Sequence, residues 1–168
     1  MEQNQVKIVD ADYFKHNFKA KKLEANAIRD DIIQKFHLNK DQTRAFKIIA
    51  NHAACIKPPQ LKMYLGGMGG TGKSQVIKAL IEMFNQKKES HRFIVLAPTG
   101  TAAALLNGST YHSALGIRMT DGKEGGMHAN KADTIYELKS KLSGVDYIFI
   151  DEVSMIACHE LYSISARL

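Results

Sequence analysis

Apolar residues of this chain concentrate in three short stretches, at the beginning of Leu61–Ser74, in Phe93–Ala97 and in Asp146–Ile150. Short apolar runs bounded by glycine, proline or polar residues are typical of strands buried in a parallel sheet. A helical pattern separates the first two runs, and a strand, helix and strand in this order form a right-handed crossover unit. The pattern therefore predicts an α/β fold with a parallel sheet and helices on both faces.

Apolar residues at helical spacing predict the helices between and before these strands. One helix begins after Asn39 as N-cap, a second opens at Ser74, and a third follows the T-x-x-E capping box of Thr134 and Glu137. The apolar stripes of these three helices are Phe46, Ile49, Ala50 and Ala53; Ile77, Leu80, Ile81 and Phe84; and Ile135, Leu138 and Leu142. Residues 1–37 are predicted to be a helical lead-in or linker, and residues 38–168 the domain itself.

A glycine-rich loop follows the first predicted strand and matches the pattern G-x-x-x-x-G-K-[ST]. Glycines let backbone N–H groups approach phosphate oxygens closely, because they have no Cβ. The lysine supplies a charge for the outer phosphates, the hydroxyl binds Mg²⁺, and the dipole of the next helix favours the anion. The loop therefore predicts a nucleotide site formed by Gly67, Met68, Gly69, Gly70, Thr71, Gly72, Lys73 and Ser74, with Ser74 at the metal.

Composition restricts the class of protein more than its function. The 168 residues suffice for one α/β domain, and no apolar run reaches membrane-spanning length or follows Met1 as a signal peptide would, so we expect an intracellular protein with no membrane partner. The net charge of +6 suggests a polyanionic partner without proving one. Cys55 and Cys158 lie in separate helical patterns, which predicts buried reduced thiols rather than a disulfide or zinc site.

An acidic pair, Asp151 and Glu152, directly follows the last predicted strand. In a chain with a phosphate-binding loop, such a pair is typical of the other half of a nucleotide site. Asp151 would hold the Mg²⁺ shell, and Glu152 would orient and deprotonate the attacking water. The alternative interpretation is a helix N-terminus, where carboxylates are favoured by the dipole.

Two polar clusters follow the second predicted strand and have both structural and functional interpretations. Thr99, Gly100 and Thr101 offer hydroxyls and an N–H that could hold a phosphodiester backbone, or they form an N-cap turn. His112 lies in the segment Gly108–Gly116, where a hydrogen-bonded structural histidine is the simpler interpretation from the residues alone. The next segment, Arg118–Asn130, is glycine-rich and is predicted to be an exposed, mobile insertion.

Two further features lie before the phosphate-binding loop. Gln42 stands three residues after Asn39, where it either closes a capping box or recognises adenine through its amide. Tyr13–Lys22 interleaves aromatic residues with cations, as a nucleic-acid-binding arm does, although a solvated helix face explains it more simply.

Four segments taken together resemble the first RecA-like domain of the petite-integration-frequency family of DNA helicases, especially the Helitron-associated type. They are LNKDQTRAF, GGMGGTGKS, APTGTAAALLNGSTYHSALG and DYIFIDEVSM, in this order from about Leu38 to the C-terminus. The resemblance implies an ATP- and Mg²⁺-dependent DNA helicase of 5′-to-3′ polarity that acts in recombination, repair and telomere maintenance, with a nuclear location. It implies catalytic roles for Lys73, Asp151 and Glu152, an adenine contact for Gln42, and single-stranded DNA contacts for Thr99, Gly100, Thr101 and His112.

The resemblance also implies parts that this sequence does not contain. Helicases of this type complete the ATP site with an arginine from a second RecA-like domain, so we expect this chain to bind Mg·ATP and single-stranded DNA weakly, without unwinding. Two alternatives stay open. One is a phosphotransferase, which would need an arginine-rich lid, and Arg118–Asn130 has one arginine. The other is a non-catalytic remnant that binds nucleotide or DNA.

Overall fold

The computed structural model describes residues 23–117 and 132–168. The chain divides into two compact units, which we call the loop unit, Met1–Gln86, and the sheet unit, Lys87–Leu168. Within the described ranges, no helix combines the length and the apolar character needed to cross a bilayer. The predicted arm at Tyr13–Lys22 and the predicted insertion at Arg118–Asn130 lie outside the described residues.

The loop unit contains three helices: α1, Leu23–Lys35; α2, Lys40–Ala54; and α3, Lys73–Gln86. Each of the three packs against the other two. The predicted stripe of α2 is confirmed, and α3 buries a face displaced by about one residue from the predicted one. The buried side chains of the three helices and of Leu38 between them are Ile32, Leu38, Ala45, Phe46, Ile49, Ala50, Ala53, Val76, Ala79, Leu80, Met83 and Phe84.

The strand predicted at the beginning of Leu61–Ser74 is wrong for this structure, because residues 59–68 form no strand. A strand requires a neighbouring backbone to satisfy its N–H and C=O groups, and this segment pairs with no other segment that the structure describes. Its sequence LKMYL is only partly apolar, and the side chains of Met63 and Tyr64 are 38% and 78% exposed. The segment therefore reaches the phosphate-binding loop as extended, irregular chain.

The sheet unit is built on three parallel strands in the order β2-β1-β3. They are β1, Phe93–Ala97; β2, Ser109–Thr110; and β3, Tyr147–Ile150. Central β1 pairs with β3 from Phe93 opposite Tyr147 and with β2 from Leu96 opposite Ser109. The two predicted strands of this unit are thereby confirmed, and the short edge strand β2 was not predicted.

Helices surround this sheet, as expected for part of a RecA-like α/β domain. They are α4, Gly100–Leu105; α5, Tyr111–Leu115; α6, Ala132–Leu142; and α7, Cys158–Arg167; short 3₁₀ turns span Ser90–Arg92 and Val153–Met155. The core of the unit consists of Leu96, Tyr111, Leu115, Ile117 and Ile164. Leu138 and Leu142 of α6 pack against that core, which confirms the predicted inward face at these two positions.

A charged cluster ties the beginning of β1 to the beginning of β3. The Arg92 guanidinium contacts Asp146 at 2.7 Å and Glu89 at 2.6 Å, and the backbone N–H of Asp146 donates to the Arg92 carbonyl at 2.7 Å. Although burial opposes the charge on this guanidinium, the two carboxylates hold the pKa of Arg92 above its usual value. These contacts help to fix the register of the strands that deliver Thr99 and Asp151 to the other end of the sheet.

Two further predictions are wrong in detail. Helix α6 begins at Ala132, so Thr134 lies inside the helix rather than at its N-cap. Cys55 and Cys158 are free thiols, as expected, but both are exposed rather than buried. Cys55 is the C-cap residue of α2 and Cys158 is the first residue of α7, and helix ends leave side chains in solvent more often than helix centres do.

Candidate functional site

In the phosphate loop, Gly67–Ser74, side chains from the end of the loop donate hydrogen bonds to carbonyl oxygens at its beginning. The ammonium group of Lys73 donates to the carbonyl oxygens of Gly67 at 2.9 Å and Met68 at 3.0 Å. The Thr71 hydroxyl also donates to the Met68 carbonyl at 2.9 Å, and the Thr71 N–H does so at 3.4 Å. The loop is therefore held as a compact turn that ends directly in α3, whose first residue is Lys73.

Two glycines of the phosphate loop have no room for a side chain. A Cβ at Gly67 would lie 2.7 Å from the Thr71 hydroxyl, and a Cβ at Gly72 would collide with the Gln42 amide. Gly72 also has a φ of +80°, which side-chain-bearing residues rarely adopt. At both positions protein atoms occupy the space of a side chain, so these glycines are required for the fold of the loop itself.

A cleft of about 560 Å³ opens beside the phosphate loop within the loop unit. Its walls come from the beginning of α2, the extended segment before the loop, the loop itself and the first turn of α3. The residues that line it are Asn39, Asp41, Gln42, Leu65, Gly66, Gly67, Gly70, Thr71, Lys73 and Val76. The structure thus brings the predicted nucleotide residue Gln42 to the same cleft as the phosphate loop, from 30 residues away in sequence.

Gln42 closes the capping box of α2, which confirms the structural interpretation of this residue. Its side-chain oxygen accepts from the Asn39 N–H at 3.0 Å, and its own N–H donates to the Asn39 side chain at 2.9 Å. Its amide nitrogen also donates to the carbonyls of Thr71 at 3.1 Å and Gly72 at 3.4 Å. The predicted adenine contact of Gln42 stays a prediction.

The acidic pair stands at the carboxyl end of β3 in the sheet unit. The Asp151 N–H donates to the Leu96 carbonyl of β1 at 2.9 Å, so this residue continues the strand pairing. Its carboxylate accepts from the Glu152 N–H at 3.0 Å, which orients the carboxylate relative to the backbone. The alternative interpretation, a helix N-terminus, is wrong because α7 begins only at Cys158 and Glu152 caps no helix with its side chain.

Glu152 has a backbone conformation that its sequence did not indicate. Its φ of 51° and ψ of 39° lie in the left-handed region, where non-glycine residues are uncommon. The Glu152 side chain is exposed. Positive φ also occurs at His37, Lys57, Lys88 and Asn107 among the described non-glycine residues, so this conformation alone does not mark a functional site, and the catalytic role of Glu152 stays a prediction.

Thr99, Gly100 and Thr101 form the N-terminus of α4 at the carboxyl end of β1. The Thr99 hydroxyl accepts from the Ala102 N–H at 3.3 Å, so Thr99 is the N-cap, and its oxygen lies 3.2 Å from the Thr101 hydroxyl. Gly100 and Thr101 are exposed. The N-cap interpretation is confirmed for Thr99, and the predicted DNA contacts of these residues stay predictions.

His112 is half-buried in α5, directly after β2, and its ring stacks on that of Tyr111 with centroids 4.0 Å apart. Tyr111 is 2% exposed, and its hydroxyl donates to Glu160 of α7 at 2.5 Å. The other Glu160 oxygen accepts from the Ala157 N–H at 2.8 Å. Burial and the neighbouring carboxylate raise the pKa of Tyr111 to about 12, and the Tyr111 hydrogen bond lowers the pKa of Glu160.

Sequence reasoning missed Tyr111 and Glu160 as a linked pair. Glu160 accepts from the N-cap N–H of α7 as the glutamate of a capping box does, but the N-cap residue is Ala157, whose methyl group accepts no hydrogen bond, so the sequence shows no capping-box pattern here. The contact across 49 residues to Tyr111 has no local signal.

The three parallel strands bring the predicted residues of the sheet unit to one edge. Because β1, β2 and β3 run in the same direction, the residues that follow each of them emerge together. Thr99–Thr101 follow β1, His112 lies two residues after β2, and Asp151 and Glu152 follow β3 directly. This edge is where ligands of open α/β sheets bind.

The residues predicted at the metal have the right chemistry for Mg²⁺. A serine hydroxyl and an aspartate carboxylate are hard oxygen ligands, and Mg²⁺ takes few protein ligands together with phosphate oxygens and water. The described ranges contain no group of three or more His, Cys, Asp or Glu side chains that could hold a metal ion. Ser74 belongs to the loop unit and Asp151 to the sheet unit, and their joint role at the metal stays a prediction.

Comparison with known proteins agrees with the resemblance seen in the sequence. The family model of PIF1-like helicases matches residues 37–167. The ATP-dependent DNA helicase PIF4 of Trypanosoma brucei brucei is 32% identical over 127 residues, which make up 74% of this chain and 14% of the relative. The ATP-dependent DNA helicase Pif1 of Bdellovibrio bacteriovorus is 36% identical over 94 residues, 56% of this chain and 20% of the relative.

A third relative is also named a DNA helicase and matches a longer stretch of this chain. The ATP-dependent DNA helicase PIF1 of Emericella nidulans is 30% identical over 138 residues, 79% of this chain and 18% of the relative. This chain therefore spans between 14% and 20% of the length of these three relatives. No solved structure matches the chain.

Proposed function

Since this chain belongs to the PIF1-like helicase family, we propose that it is the ATP-binding and ATP-hydrolysing part of a DNA helicase. Its relatives are named ATP-dependent DNA helicases, and this chain corresponds to a small share of each. We extend the proposal to 5′-to-3′ polarity and to a nuclear role in recombination, repair and telomere maintenance. These finer features rest on the family resemblance in the sequence.

The phosphate loop is the observation that carries the proposal. Nothing lies within 4 Å of a Cβ added at Gly69 or Gly70, so the loop backbone is open to a phosphate group there, and a cleft opens beside it. Lys73 contacts two carbonyl oxygens and can exchange them for the stronger, charge-assisted contact with the outer phosphates. A helix of 14 residues begins at the lysine and directs its N-terminal dipole at the same place.

We propose that the acidic pair performs the hydrolytic step. When bound, Mg²⁺ would neutralise charge on the phosphates, with Ser74 and Asp151 as its protein ligands. The Asp151 carboxylate accepts a hydrogen bond from the Glu152 N–H, which favours one orientation of its ligand oxygens. Glu152 is exposed at the carboxyl edge of the sheet, where its carboxylate would accept a proton from the attacking water.

We propose single-stranded DNA as the polyanionic partner of the sheet unit. The exposed Gly100 and Thr101 and the half-buried His112 follow adjacent strands, β1 and β2, and offer donors suited to phosphate oxygens rather than base edges. The net charge of +6 does not support this surface, because residues 87–168 contain nine Lys or Arg and nine Asp or Glu and the whole excess lies in residues 1–86. Unwinding would need a second RecA-like domain and its arginine, so we propose that the 168-residue chain does not unwind DNA.

The experiment that tests this function measures Mg·ATP binding and single-turnover hydrolysis by the 168-residue chain and by Glu152→Gln. We expect the parent chain to bind ATP and release free phosphate, and the variant to bind equally well but to hydrolyse at least about 100-fold more slowly. Equal rates would favour a non-catalytic remnant. Appearance of a phosphorylated small molecule in place of free phosphate would favour a phosphotransferase.

A further inference from the structure

The excess of positive charge in this chain lies entirely in the loop unit. Residues 1–86 contain 14 Lys or Arg and eight Asp or Glu, whereas the sheet unit contains nine of each kind. A local excess of positive charge is the electrostatic mark of a surface that binds polyanions. We propose that one face of α2 is such a surface and that it binds the phosphates of duplex DNA. The inference rests on the proposal that DNA is the substrate of this protein.

All the lysine and arginine residues of α2 lie on one stripe of the helix. Lys40, Arg44 and Lys47 follow one another at spacings of four and three residues, and all three are exposed. Side chains at these spacings are neighbours on one helix face, with Cβ atoms about 5–6 Å apart. We call these three residues the cationic stripe. The side of α2 opposite to the stripe carries its buried residues, which are Ala45, Phe46, Ile49, Ala50 and Ala53.

No acidic residue of α2 shares the cationic stripe. The helix contains one acidic residue, Asp41, which is turned by about 100° around the axis from Lys40 and lines the cleft beside the phosphate loop. At the other end of the stripe, Arg29 of α1 donates to Asn51 at 3.1 Å. Arg29 also contacts Asp30 at 3.2 Å, so this pair adds little net charge. The positive charge of this face therefore comes from the stripe itself.

The cationic stripe is long enough to contact several phosphates. Lys40 and Lys47 are separated by about 10 Å along the axis, because a helix rises about 1.5 Å per residue. One strand of a DNA duplex places a phosphate about every 3.4 Å along its axis, so the stripe spans about three of them. The five buried residues anchor α2, and the cations therefore project from a packed helix.

The residues of α2 favour duplex DNA over a single strand as the partner of the stripe. Proteins that bind single strands combine cations with aromatic side chains on which bases stack. Neither aromatic ring of α2 is offered for stacking, because Phe46 is 0% exposed and His52 contacts the Pro59 carbonyl oxygen at 2.7 Å. A duplex keeps its bases inside and carries one charge per about 1.7 Å of its axis, which suits cations alone. This contact is separate from the single-strand contacts proposed for the sheet unit.

The test measures how the full 168-residue chain binds a short blunt duplex, and a single strand of equal length, over a range of salt concentrations. The stripe variant combines Lys40→Gln, Arg44→Gln and Lys47→Gln. Glutamine has about the helix propensity of lysine and arginine, so the helix should be kept. The matched control removes three charges from exposed lysines outside α2, and combines Lys78→Gln, Lys88→Gln and Lys139→Gln.

We expect the stripe variant to bind the duplex at least about tenfold more weakly than the parent chain at low salt. The slope of log affinity against log salt concentration should become less steep by about 2.7, because each phosphate contact contributes about 0.9. Each single substitution should change this slope by about 0.9, so the result does not depend on the triple variant. The control should keep the slope of the parent chain, and all the chains should unfold at the same temperature.

Several results would overturn the inference. Equal weakening in the stripe variant and the control would show an effect of overall charge. No duplex binding by the parent chain, unchanged duplex binding by the variant, or an equal or larger loss for the single strand would each contradict a duplex contact. A poly-glutamate chain that displaces the duplex as well as competing DNA does would show a surface for any polyanion.

Single-turnover ATP hydrolysis by the same chains separates this inference from the proposed function. A parent chain that hydrolyses no ATP would refute the proposed function, whereas the salt slopes alone decide whether the stripe binds duplex DNA. Unchanged hydrolysis together with unchanged duplex binding in the stripe variant would overturn the inference and leave the proposed function intact.

Discussion

The two units of this chain hold their candidate functional residues in different ways. In the loop unit, hydrogen bonds from the side chains of Gln42, Thr71 and Lys73 to backbone carbonyls shape the phosphate loop near the surface. In the sheet unit, pairing of parallel strands over a buried core places the acidic pair and the polar clusters. Changes in the first unit should therefore affect binding, and changes in the core of the second should affect folding.

Lys73→Ala gives the largest effect expected in this comparison. The variant loses the charge that would contact the outer phosphates, so Mg·ATP affinity should fall by about 100-fold or more. Stability should change by no more than about 0.5 kcal/mol, because the side chain contacts only exposed carbonyls. Calorimetric titration with ATP and chemical unfolding measure the two quantities. Loss of stability without loss of ATP affinity would contradict the role proposed for Lys73 at the outer phosphates.

Gly108→Ala should do the opposite of Lys73→Ala, by lowering stability rather than ATP affinity. A Cβ at Gly108 would lie 2.5 Å from the Val95 carbonyl oxygen of β1, and backbone in a central strand cannot move easily. We expect destabilisation by about 1–3 kcal/mol, measured by urea unfolding. Gly100→Ala is the matched control for stability, because nothing lies within 4 Å of the added Cβ and alanine suits a helix better. Equal effects of the two substitutions would contradict the packing described at Gly108.

Tyr111→Phe should have the smallest effect, which depends on pH. The hydroxyl donates to a carboxylate, so its loss should cost about 1–2 kcal/mol at neutral pH. The pKa of Tyr111 is raised from 10.0 to about 12. The stability that the protonated hydroxyl contributes is therefore complete below pH 10 and is lost as pH rises towards 12. The pKa of Glu160 is lowered from 4.5. The stability that the ionised carboxylate contributes is therefore complete above pH 4.5 and is lost as pH falls through the lowered pKa.

The measurement for this pair is the difference in unfolding free energy between the parent chain and Tyr111→Phe across the pH range. The difference should be constant from about pH 5 to pH 9 and should shrink at both extremes. A difference that does not change between pH 8 and pH 11 would show that the hydroxyl keeps its ordinary pKa.

Local patterns in the sequence predicted those features that depend on neighbouring residues. The capping box of Asn39 and Gln42, the apolar strands at Phe93–Ala97 and Tyr147–Ile150, and the position of Asp151 after a strand all follow from spacings within a few residues. The phosphate-loop pattern likewise located the loop, whose backbone the structure shows to be open at Gly69 and Gly70.

Features that depend on distant contacts or on backbone strain could not be predicted. The strand expected before the phosphate loop requires a pairing partner, which a single run of residues does not reveal. The hydrogen bonds between Gln42 and the phosphate loop join residues that are 29 and 30 positions apart. The left-handed backbone at Glu152 opposes the intrinsic preference of glutamate, so no propensity argument could have found it.

A double-mutant cycle tests most directly the proposal that Ser74 and Asp151 bind the same Mg²⁺ ion. Mg·ATP affinity is measured for the parent chain, Ser74→Ala, Asp151→Asn and the double variant, with ATP affinity in EDTA as the metal-free reference. If both residues bind the same Mg²⁺, the cycle should give a coupling energy of about 1 kcal/mol or more, present only with the metal. Additive effects of the two substitutions in Mg²⁺ would contradict the account.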